Sequence, residues 1–277
     1  MTLRVRTVDA FTDQPFTGNP AAVIRMDDWA ELPPQSWYRS IAAELNLSET
    51  AFLERYENAD ADFRLRWFTP AMEVDLCGHA TLAMSHCLFA DGVRGPVRYA
   101  TRSGVLTVRQ ADDGGITMDL PAQPPQQIAV PDWLPAAIGH QPEYLGEASS
   151  GYLLAVLDGD RGVRELTPDL AAISRHVGHG LIVSAAAAES SGLDFVSRFF
   201  APAMGVPEDP VTGSAHTVLV PYWAGRLGRA ELAAAQVSPR GGCLTLRLAG
   251  DRVLITGRAV TVLDGTLLSV PSGRLTP

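Results

Sequence analysis

Two stretches of this chain put small and ionisable residues where a helix would begin. The first is Cys77-Gly78-His79-Ala80-Thr81. The second is Thr212-Gly213-Ser214-Ala215-His216, with Glu208 and Asp209 just ahead of it. A helix start presents unpaired backbone N–H groups and a partial positive charge, so it attracts carboxylate or phosphate. Gly78 and Gly213 would let an anion approach that backbone closely. His79 changes charge near neutral pH and could polarise a substrate or shuttle a proton. The same residues also fit two ordinary helix starts capped by Thr or Ser. Glu49 sits between Ser48 and Thr50, immediately before the apolar run Ala51-Phe52-Leu53. A carboxylate there lies at a strand edge and faces either water or a cleft. Asn19, in Gly18-Asn19-Pro20, is either a turn former or a substrate contact.

Composition narrows the chemistry. The chain has 277 residues, 46% of them apolar and 19% charged, so it can bury a sizeable core. The formal net charge is -9, and no basic run stands out, which argues against a nucleic-acid partner. A small anionic substrate remains compatible with a locally positive pocket. All 22 basic residues are Arg. Without Lys there is no side-chain amine for a Schiff base and none for a P-loop. Cys77, Cys87 and Cys243 form no C-x-x-C pair, and an odd count without a secretory pattern argues against a disulfide framework. No apolar run approaches membrane-spanning length, so the expectation is a cytoplasmic protein without a membrane partner. No G-x-G-x-x-G follows a strand, no H-E-x-x-H or G-x-S-x-G occurs, and His176 and His179 lack a third ligand nearby. Neither a cofactor nor a metal is therefore expected.

The elements that would carry these residues repeat. Arg66-Trp67-Phe68-Thr69-Pro70-Ala71-Met72 reappears as Arg198-Phe199-Phe200-Ala201-Pro202-Ala203-Met204. Each copy follows an alternating strand and leads through a turn into a helical pattern. Farther on, Ser103-Gly104-Val105-Leu106-Thr107-Val108-Arg109 matches Gly241-Gly242-Cys243-Leu244-Thr245-Leu246-Arg247. The offset drifts slowly along the chain, as in a duplicated domain with small insertions. Each half reads as mostly strands with two helices. In the first half a helix over 33–45 ends at Asn46, a left-handed C-cap. In the second half helices are expected over 168–176 and 213–224. Pro121-Ala122-Gln123-Pro124-Pro125-Gln126-Gln127 reads as the linker, giving domains 1–122 and 128–277, with the C-terminal strand free to return to the first.

At this point a resemblance becomes specific. Val8-Asp9-Ala10-Phe11-Thr12, Gly18-Asn19-Pro20-Ala21-Ala22-Val23, Ser48-Glu49-Thr50-Ala51-Phe52, Leu76-Cys77-Gly78-His79-Ala80-Thr81, Glu208-Asp209-Pro210-Val211-Thr212-Gly213-Ser214-Ala215 and Arg240-Gly241-Gly242 resemble the PhzF-like family of phenazine-biosynthesis isomerases. They span nearly the whole chain in the family's order. The resemblance implies an α+β fold of two pseudo-symmetric diaminopimelate epimerase-like domains. Each would be a curled, mostly antiparallel sheet around a central helix, with the active site in the cleft between. It implies a cofactor-independent isomerase acting on a small carboxylic acid, and a homodimer. Glu49 would be the acid/base that takes a proton from carbon and returns it. His79, Asp209 and Ser214 would position the substrate and relay protons, with Asn19 in contact with it. Gly78 and Gly213 would donate backbone N–H groups to its carboxylate. Desolvation in a dry cleft would raise a catalytic carboxylate toward neutrality.

Cys77 separates the possible mechanisms. Racemases of the related epimerase type use two thiols, and Cys77 occupies the place of one. The second loop carries Val211-Thr212-Gly213 and no cysteine. Cys77 therefore reads as a small packing residue, and His216 as a partly buried or exposed histidine. An amino-acid racemase using Cys77 and a non-catalytic acid-binding protein are the alternatives.

Overall fold

A computed structural model describes residues 3–29 and 31–268. The chain comprises β1 (Leu3–Ala10), β2 (Asn19–Met26), α1 (Gln35–Leu45), β3 (Glu49–Arg55), β4 (Phe63–Phe68), β5 (Glu73–Val74), α2 (Gly78–Ala90), β6 (Val97–Thr101), β7 (Gly104–Gln110) and β8 (Ile116–Pro121). It continues with β9 (Gln126–Gln127), α3 (Trp133–Ile138), β10 (Tyr144–Glu147), β11 (Tyr152–Val156), α4 (Asp160–Arg164), α5 (Leu170–His176), β12 (Gly180–Ala186), β13 (Phe195–Ala201) and β14 (Val206–Asp209). The last elements are α6 (Gly213–Leu227), β15 (Glu231–Gln236), β16 (Gly242–Ala249), β17 (Arg252–Gly257) and β18 (Ala259–Leu267). Two compact units result. One holds the described residues through Asp119 and those from Gly257 on, and the other spans Leu120–Thr256.

The first unit is an antiparallel sheet interrupted by two parallel pairs, β2 with β3 and β4 with β6. Parallel neighbours need a crossover, which α1 and α2 supply. The closing strand is β18, which pairs antiparallel with β1 from Leu3 opposite Leu267 to Ala10 opposite Ala259. In α2 only His86 and Ala90 escape burial. A helix apolar on every side must be enclosed, and α2 packs on β1, β2, β3 and β18. The strand β1 is covered on both faces. Its Arg6 lies buried against Asp91, with Nη2 2.6 Å from Oδ1.

The second unit repeats this order. Its parallel pairs are β11 with β12 and β13 with β15, bridged by α4 and α5 and by α6. Helix α6 buries Val218, Leu219, Val220 and Trp223, and the Trp223 indole donates to the Ser184 hydroxyl at 3.0 Å. Sequence periodicity missed the short helices α3 and α4. At six and five residues they cover too little of a 3.6-residue pattern to register. The helix over 35–45 ends as expected at Asn46, with φ 49° and ψ 40°. Among the described residues no helix is long and apolar enough to cross a membrane.

The repeated Arg has the same work in both units. Arg66 grips Glu73 through Nε and Nη2 at 2.8 and 2.9 Å and lies over the Phe68 ring. Arg198 grips Glu208 through the same atoms at 2.7 and 2.8 Å and lies over Phe200. Each clamp ties the strand before the repeated loop to the short strand after it. Bidentate geometry is what Arg provides and a point-charge ammonium does not. In the first unit Arg66 also reaches the fully buried Glu54 at 3.2 Å, which in turn accepts from the Tyr38 hydroxyl at 2.7 Å.

Removing Arg66 would strand Glu54 in the core. Arg66→Met should lower unfolding free energy by about 3–5 kcal/mol in urea titrations, the usual result of orphaning a buried charge. Arg98→Met, which breaks exposed contacts with Asp62 and the Ala59 carbonyl, should leave the urea midpoint nearly unchanged.

Candidate active site

The site in the first unit begins with backbone. Asn19 opens β2 and Glu49 opens β3, and these strands run parallel with Ala21 opposite Glu49. Both candidates therefore stand at the same end of the sheet, and Asn19 is fully buried. The loop leading to Asn19 is held tightly. Phe16 N–H donates to the Asp9 carboxylate at 2.7 Å, and Phe11 and Phe16 both take positive φ. Gly18 has φ +66°, and a Cβ there would meet the Ala10 carbonyl at 2.2 Å. Only glycine fits that turn.

Cys77 is the N-cap of α2, with extended backbone and no side-chain capping bond. The Thr81 hydroxyl reaches back to the Cys77 carbonyl at 2.6 Å and fixes this first turn. Gly78 and His79 follow, so the helix start sits where sequence placed it. The His79 ring lies between two partners. Its Nε2 is 3.2 Å from Glu49 Oε2, and its Nδ1 is 3.5 Å from Cys77 Sγ. All three side chains are largely buried. The Glu49 oxygen nevertheless makes no properly aligned hydrogen bond.

These contacts set the protonation of the cluster. Burial, reinforced by the charge of Glu49, pushes the Cys77 thiol up to about 11, so it is neutral near pH 7. At His79 burial works against the imidazolium, but Cys77 and Glu49 together hold it well above its ordinary range. Packing alone does not describe Cys77. Its sulfur touches the histidine that touches Glu49. The C-x-H spacing at a helix start was the available signal, since the N-cap side chain can fold back over the first turn.

The remaining candidates lie in the second unit. Thr212 occupies the N-cap of α6, again without a side-chain capping bond to the helix. Instead its hydroxyl donates to Asp209 Oδ2 at 2.5 Å. Gln236 locks the turn from β15, accepting from Thr212 N–H at 2.8 Å and donating to the Asp209 carbonyl at 2.7 Å. Ser214 Oγ lies 3.1 Å from the Tyr152 hydroxyl. Sequence reading missed Gln236 and Tyr152 because each comes from a distant strand. The expectation for His216 was wrong. It is fully buried, its Nδ1 2.8 Å from the Thr212 carbonyl, and burial lowers it to about 4.

Comparison with known proteins agrees with this architecture. The family pattern described as phenazine biosynthesis-like protein matches residues 8–265. An uncharacterized isomerase of Pseudomonas aeruginosa is 47% identical over 270 residues, covering 96% of this chain and 99% of the relative. A PhzF-family crystal structure from Enterococcus faecalis superposes with a TM-score of 0.89 at 38% identity, covering 97% of this chain and all of that one. A hydroxyproline epimerase from Agrobacterium vitis, with TM-score 0.63 and 14% identity over 98% and 94% of the two chains, shares the fold.

His216 supplies a pH test. Its folded value lies below its unfolded value near 6.5, so the unfolded chain binds the extra proton first as pH falls. Its contribution is complete above about pH 6.5 and is lost toward pH 4. The difference amounts to about 3 kcal/mol. Chemical denaturation at several pH values should show that His216→Leu flattens the stability profile in this window. An unchanged slope would mean that His216 is not buried as a neutral base.

Proposed function

The chain belongs to the phenazine biosynthesis-like family, and on that premise we propose an isomerase that moves a proton on carbon of a small carboxylic acid, with Glu49 as acid and base. The observation that carries this reading is the buried Glu49 oxygen, 3.2 Å from His79 and without an aligned hydrogen bond. A base in a dry site needs an uncommitted lone pair, and Glu49 has one. The substrate carboxylate lies at the start of α2, where the N–H groups from Gly78 onward are not capped by a side chain. Glu49 takes a proton from carbon, and the bond's electron pair spreads into the adjoining conjugated system. The His79 imidazolium offsets the developing negative charge. Glu49 then returns the proton to a carbon of the same molecule, so composition is unchanged and no redox partner is required.

For Asp209 and Ser214 the family resemblance carries the proposal of a substrate-positioning role. Within their own unit, Asp209 braces Thr212 and Ser214 meets Tyr152. A two-thiol racemase has one feature in its favour, the Cys77–His79 contact. Against it stand the raised thiol and the residue at the matching place in the repeat, Thr212, whose hydroxyl is occupied by Asp209. The one-base reading is preferred for that reason.

Carboxylic acids incubated in deuterated water provide the assay, read by mass change or NMR. For a substrate that exchanges, Glu49→Gln should slow exchange by about 10² to 10⁴, the range for loss of a general acid/base. Exchange that survives Glu49→Gln but disappears in Cys77→Ser would replace this reading with the thiol mechanism.

A further inference from the structure

The Glu49–Cys77–His79 cluster has a second chemical capacity. Its three donor atoms, a carboxylate oxygen, a thiol sulfur and an imidazole nitrogen, lie within 4.8 Å of one another. We propose that these three side chains form a site for a thiophilic divalent cation, Zn²⁺ being the probe, and that occupation of the site inhibits the enzyme. The inhibitory part rests on Glu49 being the acid/base, whereas the binding part stands on geometry alone.

Zinc holds sulfur at about 2.3 Å, nitrogen at about 2.0–2.1 Å and oxygen at about 2.0–2.2 Å, so tetrahedral donors sit about 3.3–3.6 Å apart. His79 Nε2 is 3.2 Å from Glu49 Oε2 and 4.0 Å from Cys77 Sγ. The Glu49 oxygen and the Cys77 sulfur lie within 4.8 Å, so side-chain shifts of up to about an ångström would complete the arrangement. The buried Glu49 Oε2, 3.2 Å from His79 Nε2 yet without an assigned hydrogen-bond partner, favours it. Two ligands of one ion sit side by side around it, whereas hydrogen-bonded partners point at each other. The charge also balances. Coordination releases the thiol proton to solvent, and thiolate plus carboxylate then neutralise the cation in a buried place. Three protein ligands leave the fourth position open to water. Sequence spacing does not reveal this set, because Glu49 is remote from Cys77 and His79 in the chain and arrives on a different element. Occupation would consume the lone pair that Glu49 needs for proton transfer.

Full-length protein stripped with a chelator should be titrated with Zn²⁺ against a chromogenic indicator. One equivalent per chain is expected, with affinity falling by about 10–100-fold or more in Cys77→Ser and in His79→Gln. Cobalt(II) should give a thiolate-to-metal charge-transfer band that Cys77→Ser abolishes. Melting curves of the metal-free variants separate lost ligands from lost fold. Absence of stoichiometric binding, or binding that Cys77→Ser leaves unchanged, overturns the site. With an exchanging carboxylate in hand, Zn²⁺ should suppress exchange along the same saturation curve. Exchange that saturating zinc leaves untouched overturns the inhibitory role. Zinc binding in a protein that exchanges no carboxylate overturns the isomerase reading and leaves the metal site standing.

Discussion

The enclosure of α2 is the constraint on which the site depends. Because the helix is buried on almost every side, its axis and its rotation are both fixed by packing against β1, β2, β3 and β18. A helix with only one apolar face could rotate slightly and still bury it. Here rotation would push large side chains such as Leu82, Met84 and Leu88 into backbone strands. The position of His79 is therefore as rigid as the core itself. Strands β2 and β3 lie against the same helix, so Asn19 and Glu49 share that rigid reference. A proton-transfer site benefits from this arrangement, because donors already in place need no reorganisation during the reaction.

The two copies of the repeat divide labour between their halves. The leading half, with Arg66 or Arg198, is a structural clamp with closely similar distances in both units. The trailing half has diverged. Cys77 turns its sulfur toward His79, whereas Thr212 turns its hydroxyl toward Asp209. Duplication thus preserved a way of delivering a helix start to a defined place and left the side chains there free to change.

This division also explains what could be read from the sequence. The repeated segments, the helix starts at Gly78 and Gly213 and the left-handed cap at Asn46 are local patterns, and local patterns are legible. The resemblance to the PhzF-like family extended that reading to Glu49, which its neighbours alone left between water and cleft. Contacts between distant segments were not legible. Neither the approach of Glu49 to His79 nor that of Gln236 to Thr212 leaves a trace in spacing. His216 misled for the converse reason. A polar residue one turn into a helix says little about burial until the packing of the whole helix is known.

The pairing of β18 with β1 bears on how the molecule assembles. Arg4 and Asp264 make contact 260 residues apart in sequence, and the unit they close is built from two segments that flank the other unit. The other unit is a continuous segment. During synthesis that continuous segment can complete its contacts as soon as it emerges, whereas the other unit must wait for β18. Closing so long a loop carries an entropic cost that grows only slowly with length, but it delays the step that secures β1. Until then the edge of β1 that accepts β18 stays open to pairing with another chain. Until β18 docks, β1 is thus an exposed edge where the nascent chain is open to mispairing.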